Sequence, residues 1–219
     1  MYWQLAISFV LLIIAIPATR ARVHYFLAYF IYASVVFVGS VVYAFKFFLK
    51  GEPRYENIYR LARTLMGLQP RIFGLETYDP EQQYIYVTNH QSFIDVLCNV
   101  LPLLALTDIW KLPSTVIAKD TLKYFGPLGA ILYYTKCILI HRSNHEKAIS
   151  EMNRAAEQIM NDKVSLFVFP EGTRNCSGHL LPFKKGAFHM AIQTHLPIQP
   201  VVISCYNSFL DHKRFCLTP

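Results

Sequence analysis

The sequence predicts an α/β fold, a mostly parallel sheet flanked by helices and preceded by an N-terminal membrane helical hairpin. Three observations carry this reading. Five short apolar runs, rich in β-branched and aromatic residues and bounded by polar or turn residues, read as strands. From Gly51 onward they alternate with helical segments, which implies crossover connections and a parallel sheet. Ahead of them, residues 5–16 and Tyr25–Phe45 form two apolar runs.

The first apolar run holds about a dozen residues and is followed by Pro17; the second holds twenty-one residues without a charge. The second is long enough to cross a hydrocarbon core of ~30 Å at ~1.5 Å per helical residue. No basic residue precedes the first run and no small-x-small cleavage site follows it, which disfavours a signal peptide. Only about eight residues around Arg20 and Arg22 separate the runs. A hairpin turn is expected there, so residues 1–50 are read as a membrane anchor and 51–219 as the α/β domain. Basic residues lie both in the connection and after the second run, so charge does not fix the orientation.

Within the second part, the expected strands are Tyr84–Val87, Thr115–Ala118, Cys137–Ile140, Ser165–Phe169 and Ile198–Ile203. Between the third and fourth, Ser143-Asn144-His145-Glu146 reads as a capping box. Ile149, Met152, Ala156 and Ile159 then form an apolar stripe of helical period. A second helix is expected over Gly186–Thr194.

Composition narrows the function classes. Of the 219 residues, 53% are hydrophobic, and the net charge is +7. The first fifty residues carry Arg20, Arg22, Lys46 and Lys50 and no acid, while the remainder is near balance, with seventeen basic and fourteen acidic residues. Basic residues beside apolar segments fit anchoring at an anionic lipid surface, not nucleic-acid binding. The five cysteines, at 98, 137, 176, 205 and 216, show no Cys-x-x-Cys spacing. They point to reduced thiols, not to a disulfide framework or a zinc site.

Two polar motifs spring from strand ends. Tyr84–Val87 leads into Asn89-His90-Gln91-Ser92-Phe93-Ile94-Asp95, and Ser165–Phe169 leads into Pro170-Glu171-Gly172-Thr173-Arg174. In an open parallel sheet, loops leaving the carboxyl ends of strands converge on one rim, where ligands bind. A proton-handling His90/Asp95 pair and an anion-binding Arg174 could therefore meet across roughly eighty residues of sequence. That geometry points to group transfer involving a phosphorylated substrate.

Each residue type suits such a role. Imidazoles titrate near neutrality, and a carboxylate on one ring nitrogen leaves the other free to take a proton. Ser92 lacks the Gly-x-Ser-x-Gly elbow of a hydrolase nucleophile and is read as a helix cap. Asn89 either donates a hydrogen bond in the site or forms the turn. Gly172 allows close backbone approach, Thr173 offers a hydroxyl, and Arg174 presents a planar fork to phosphate. Glu171 cannot bind phosphate directly and is read as orienting Arg174 or a neighbouring donor. Lys119 and Arg142 stand at two further strand ends, where they could add positive charge to the rim. Lys184 and Lys185 either meet substrate phosphates or form a solvated basic turn. The histidines show no metal-ligand spacing, and no metal or cofactor is expected.

Taken together, the His-x4-Asp block written NHQSFID and the block FPEGTR resemble the lysophospholipid acyltransferases of glycerophospholipid synthesis. Within that superfamily they are most similar to the 1-acylglycerol-3-phosphate acyltransferases. Leu196-Pro197-Ile198-Gln199-Pro200-Val201-Val202 matches a further block with a Pro-x-x-Pro core, and the likeness runs from about Arg54 onward. The resemblance implies that His90 deprotonates the free hydroxyl of lysophosphatidate, which attacks the thioester of acyl-CoA to give phosphatidate. It assigns phosphate binding to the Glu171–Arg174 block, with a bilayer as partner and the endoplasmic reticulum membrane as location, the catalytic domain in the cytosol. Another lysophospholipid or glycerol 3-phosphate is the alternative acceptor. At Lys136–Arg142 the family pattern has a glycine and an aspartate where this chain has Lys136 and His141. Relatives continue beyond the position of Pro219, so a shortened form is expected, with an inactive membrane-bound form that binds lipid or a partner as the alternative. The sequon Asn175-Cys176-Ser177 abuts the motif and is expected to stay unmodified.

Overall fold

The computed structural model describes residues 16–50, 73–92 except 77, residue 95, 114–141 except 127, 128, 130, 131, 134 and 135, 145–211 and 213–217. The chain groups into two compact units. One holds the described residues up to Val35 together with those from Ser204 on; the other runs from Val36 to Ile203.

The larger unit is built on a five-stranded parallel sheet. Its strands are β1 (Ile85–Thr88), β2 (Ser114–Lys119), β3 (Ile138–Ile140), β4 (Ser165–Val168) and β5 (Ile198–Val201), in the order β3-β2-β4-β1-β5. All five expected strands are present, with ends shifted by a residue or two. β1 and β4 are buried at every position, the signature of central strands covered on both faces. Ile85 and Leu166 pair in register and form the centre of the apolar core. On the sheet's other face, Tyr86 stacks on Phe167 at 4.5 Å and its hydroxyl meets that of Tyr78 at 2.9 Å.

Between β3 and β4 lies helix α2, which follows the N-terminal helix α1 (Pro17–Lys50) and spans His145–Asp162. Ala155, Ala156 and Ile159 are buried, with Ala148 and Met152 packed beside them. The expected stripe is thus corrected at one position. Ile149 is exposed, because the run 148, 152, 155, 159 holds one helix face and residue 149 lies a full step around it. Ser143 and Asn144 of the expected capping box lie outside the described residues. Helix α3 (Gly186–Thr194) has the expected bounds and packs against α2 and β1. It stops at His195, whose φ of 56° is left-handed.

The smaller unit contains the start of α1 and an antiparallel pair, β6 (Leu210–Asp211) and β7 (Cys216–Leu217). Tyr25 and Phe26 hold Phe215 between ring contacts of 5.6 and 5.9 Å.

The hairpin turn expected around Arg20 and Arg22 does not occur, since both residues lie inside α1. Proline is tolerated in a helix's first turn, where its missing N–H would have no partner, and arginine is a good helix former. Helix therefore begins at Pro17. The first apolar run falls almost wholly outside the described residues. Among the described residues, no helix is long and apolar enough to cross a membrane.

Candidate active site

Because β1 and β4 are adjacent and parallel, the loops after Thr88 and Val168 leave the same edge of the sheet. The two motifs meet there through backbone as well as side chains. The N–H of His90 donates to Glu171 Oε1 at 3.1 Å, and the N–H of Asn175 donates to the His90 carbonyl at 2.7 Å. Both backbone groups of the histidine are thus held by the second motif. Arg174, immediately before Asn175, is exposed and forms no ion pair among the described residues.

Asp95 stands 2.8 Å from the Nδ1 of His90 and is 0% exposed. The same oxygen, Oδ2, also accepts the backbone N–H groups of Gln91 and Ser92. An atom that already accepts two N–H donors cannot readily be a hydroxyl, so Nδ1 bears the imidazole proton and Nε2 is the basic nitrogen. With its side chain 16% exposed, His90 is shielded yet reachable. Its ring lies on Phe169 at 4.1 Å with 24° between planes, which fixes the direction in which Nε2 points. Ser92 is buried, and most of the turn it was expected to cap lies outside the described residues.

Glu171 is only 4% exposed. Besides the His90 N–H, it accepts the N–H of Leu181 at 3.0 Å and the side-chain amide of Asn175 at 3.3 Å. Its partners are therefore the loop carrying His90 and its own loop, and none is Arg174. Asn89 likewise has a structural role. Its amide donates to the Ile203 carbonyl at 3.0 Å and accepts the Ile203 N–H at 2.8 Å, extending the β1–β5 ladder. Gln91 donates to the same carbonyl at 3.0 Å.

Gly172 and Thr173 lie at the mouth of the β4 loop, Gly172 with a φ of 69°. Lys119 is exposed at the end of β2. Arg142 lies outside the described residues. Next to Lys119, Asp120 accepts from His141 Nδ1 at 2.6 Å, and the His141 N–H donates to Glu151 Oε2 at 2.6 Å. This second imidazole repeats the clamp on His90, with an aspartate on the ring and a glutamate on the backbone. The His141 hydrogen bond holds the Asp120 carboxyl below its ordinary value. Sequence reading missed Asp120, although its position just past a strand end was a usable signal. Among the described residues, no three His, Cys, Asp or Glu side chains gather as a metal site.

Comparisons with known proteins agree with this architecture. The acyltransferase family profile matches residues 69–204. The chain is 38% identical over 153 residues to mouse 1-acyl-sn-glycerol-3-phosphate acyltransferase alpha, covering 70% of this chain and 51% of the relative. It is 30% identical over 217 residues to the human beta form, covering 96% of this chain and 75% of the relative. It thus spans about half the length of the alpha relatives it matches. The crystal structure of the 1-acyl-sn-glycerophosphate acyltransferase PlsC from Thermotoga maritima superposes with a TM-score of 0.63 at 24% identity, covering 91% of this chain and 80% of that one. That likeness concerns the fold.

Proposed function

The chain belongs to the acyltransferase family, and from that membership we propose that it moves an acyl group from acyl-CoA to 1-acylglycerol 3-phosphate, giving phosphatidate. The observation that carries this reading is the His90–Asp95 pair, with Nδ1 on the carboxylate and Nε2 left basic. Nε2 removes the proton of the acceptor's free hydroxyl as its oxygen attacks the thioester carbonyl. The new C–O ester bond forms, the C–S bond breaks, and the imidazolium returns the proton to the departing thiolate, releasing coenzyme A. No metal is required, because a thioester is already an activated acyl donor. Arg174 binds the acceptor's phosphate as a bidentate fork, and Lys119 and Arg142 add positive charge along the rim. The names of the relatives support the acceptor, as does the full FPEGTR block.

We place the reaction at the endoplasmic reticulum membrane, with the domain in the cytosol. The exposed Phe26, Phe30, Phe37 and Phe45 of α1 and the acid-free first fifty residues support a lipid surface as partner.

An assay of purified protein with labelled acyl-CoA tests the chemistry. His90→Ala should abolish turnover, and undiminished activity would overturn the base assignment. Arg174→Ala should raise the KM for the acceptor and leave that for acyl-CoA unchanged. In a panel of acceptors, faster acylation of glycerol 3-phosphate or another lysophospholipid would replace lysophosphatidate in this scheme.

A further inference from the structure

The loop after β4 leaves the rim at Phe169 and returns to it at Lys184, whose N–H donates to the Pro170 carbonyl at 2.8 Å. From that anchor the lysine side chain runs back over Gly172. A Cβ placed on Gly172 would lie 2.9 Å from Lys184 Cδ, 2.7 Å from Cε and 2.6 Å from Nζ. The absent side chain is therefore the space through which the ammonium reaches the mouth of the loop. A glycine is required here twice over, for this passage and for its left-handed φ of 69°. The ammonium comes to rest over Gly172, two residues from Arg174 along the chain. The nearest carboxylate in sequence, Glu171, turns inward to the N–H groups of His90 and Leu181. Among the described residues, neither Lys184 nor Arg174 is in an ion pair.

We propose that Lys184 is the second cation of the acceptor's phosphate site and that, with Arg174, it selects phosphomonoesters over zwitterionic phosphodiesters. This inference rests on the reading of Arg174 as the acceptor's phosphate ligand. The charge argument is simple. A phosphomonoester carries close to two negative charges near neutral pH, and two cations outside ion pairs among the described residues, Lys184 over Gly172 and Arg174 two residues along the chain, match it. A phosphocholine head group has one negative charge and its own cation, so the second protein cation gains nothing from it. Lys184 is itself exposed, so its ammonium stays open to a ligand while its stem passes over Gly172.

The test uses the full chain in detergent micelles, with calorimetric binding of a short-chain 1-acylglycerol 3-phosphate, the matching phosphocholine compound and acyl-CoA. Lys184→Met should weaken binding of the phosphomonoester by about tenfold, the effect of losing one charge-assisted contact. Phosphocholine and acyl-CoA binding should stay unchanged, and Lys184→Arg should retain most of the affinity. Gly172→Ala should weaken the same ligand, and less so when combined with Lys184→Met. Unchanged phosphomonoester affinity in a Lys184→Met protein of wild-type melting temperature overturns the inference, as does a loss confined to acyl-CoA. Arg174→Ala separates the two levels of the argument. If it also leaves the phosphomonoester unaffected, the phosphate reading of the whole block fails; if it alone weakens binding, only the role of Lys184 fails.

Discussion

Glu171 meets His90 across the β1–β4 pair, the buried carboxylate accepting the histidine's backbone N–H at 3.1 Å. Glu171 also accepts from Leu181 and Asn175, so one side chain fixes the His90 backbone and the loop carrying Arg174 in a common frame.

Glu171→Gln should therefore harm both stability and turnover. The replacement keeps the shape, but its NH2 group faces N–H donors that lose their acceptor. Leaving a buried donor unsatisfied costs about 1–3 kcal/mol, and the melting temperature should fall by several degrees. Differential scanning calorimetry beside kcat measures both effects, and a wild-type melting curve would remove the central role given to Glu171.

Asp95→Asn should leave a folded protein with little catalysis. An amide cannot accept three N–H groups at one oxygen as the carboxylate does, so the imidazole loses its fixed tautomer. A fall in kcat of about 10²-fold or more is expected, with the acceptor KM nearly unchanged. Steady-state kinetics in both substrates checks the split.

The Asp120–His141 pair predicts a specific acid response. The Asp120 carboxyl is held below its ordinary value of 3.8, chiefly by the His141 hydrogen bond. A depressed carboxyl contributes stability above its unfolded value, and that contribution is lost as pH falls through the folded one. Urea midpoints measured downward from pH 6 should thus drop less steeply below about pH 4 in Asp120→Asn than in the unchanged protein. Identical slopes would show that the pair contributes nothing to acid stability.

Lys136 occupies a left-handed conformation, with φ 51°, at the position where the family pattern has glycine. Left-handed backbone costs a non-glycine residue roughly 1–2 kcal/mol. The half-exposed Lys136–Asp162 pair at 2.8 Å returns at most about 1 kcal/mol. Lys136→Gly should accordingly raise the chemical denaturation midpoint slightly; a lowered midpoint would mean that the ion pair outweighs the backbone strain.

Thiol reactivity should divide sharply among the described cysteines. Burial pushes the Cys137 thiol up to about 12, while Cys176 and Cys205 are exposed. The thiolate is the reactive form. Brief maleimide treatment followed by peptide mass spectrometry should find label on Cys176 and Cys205, and on Cys137 only after unfolding. A bulky label on Cys176, two residues past Arg174, should also depress acceptor binding.

Much of this was legible in the residues. Ile85 and Leu166 announce buried parallel strands because both faces of such strands are apolar, and a parallel sheet brings the loops carrying His90 and Arg174 to one rim. Less legible were relationships that leave no periodic trace. Glu171 reads as an orienting acid for Arg174 or a neighbouring donor; only the fold brings the backbone N–H of residue 90 to it. Ile149 is the more apolar residue, yet helix geometry packs Ala148 against the core and leaves Ile149 exposed. Pro17 and the two arginines after it suit a helix start as well as a turn, and the helix prevailed.

The double hydrogen bond between Asn89 and Ile203 carries a mechanical implication. It works as a leash tied one residue from the imidazole, so a displacement of Ile203 is delivered straight to the neighbour of His90.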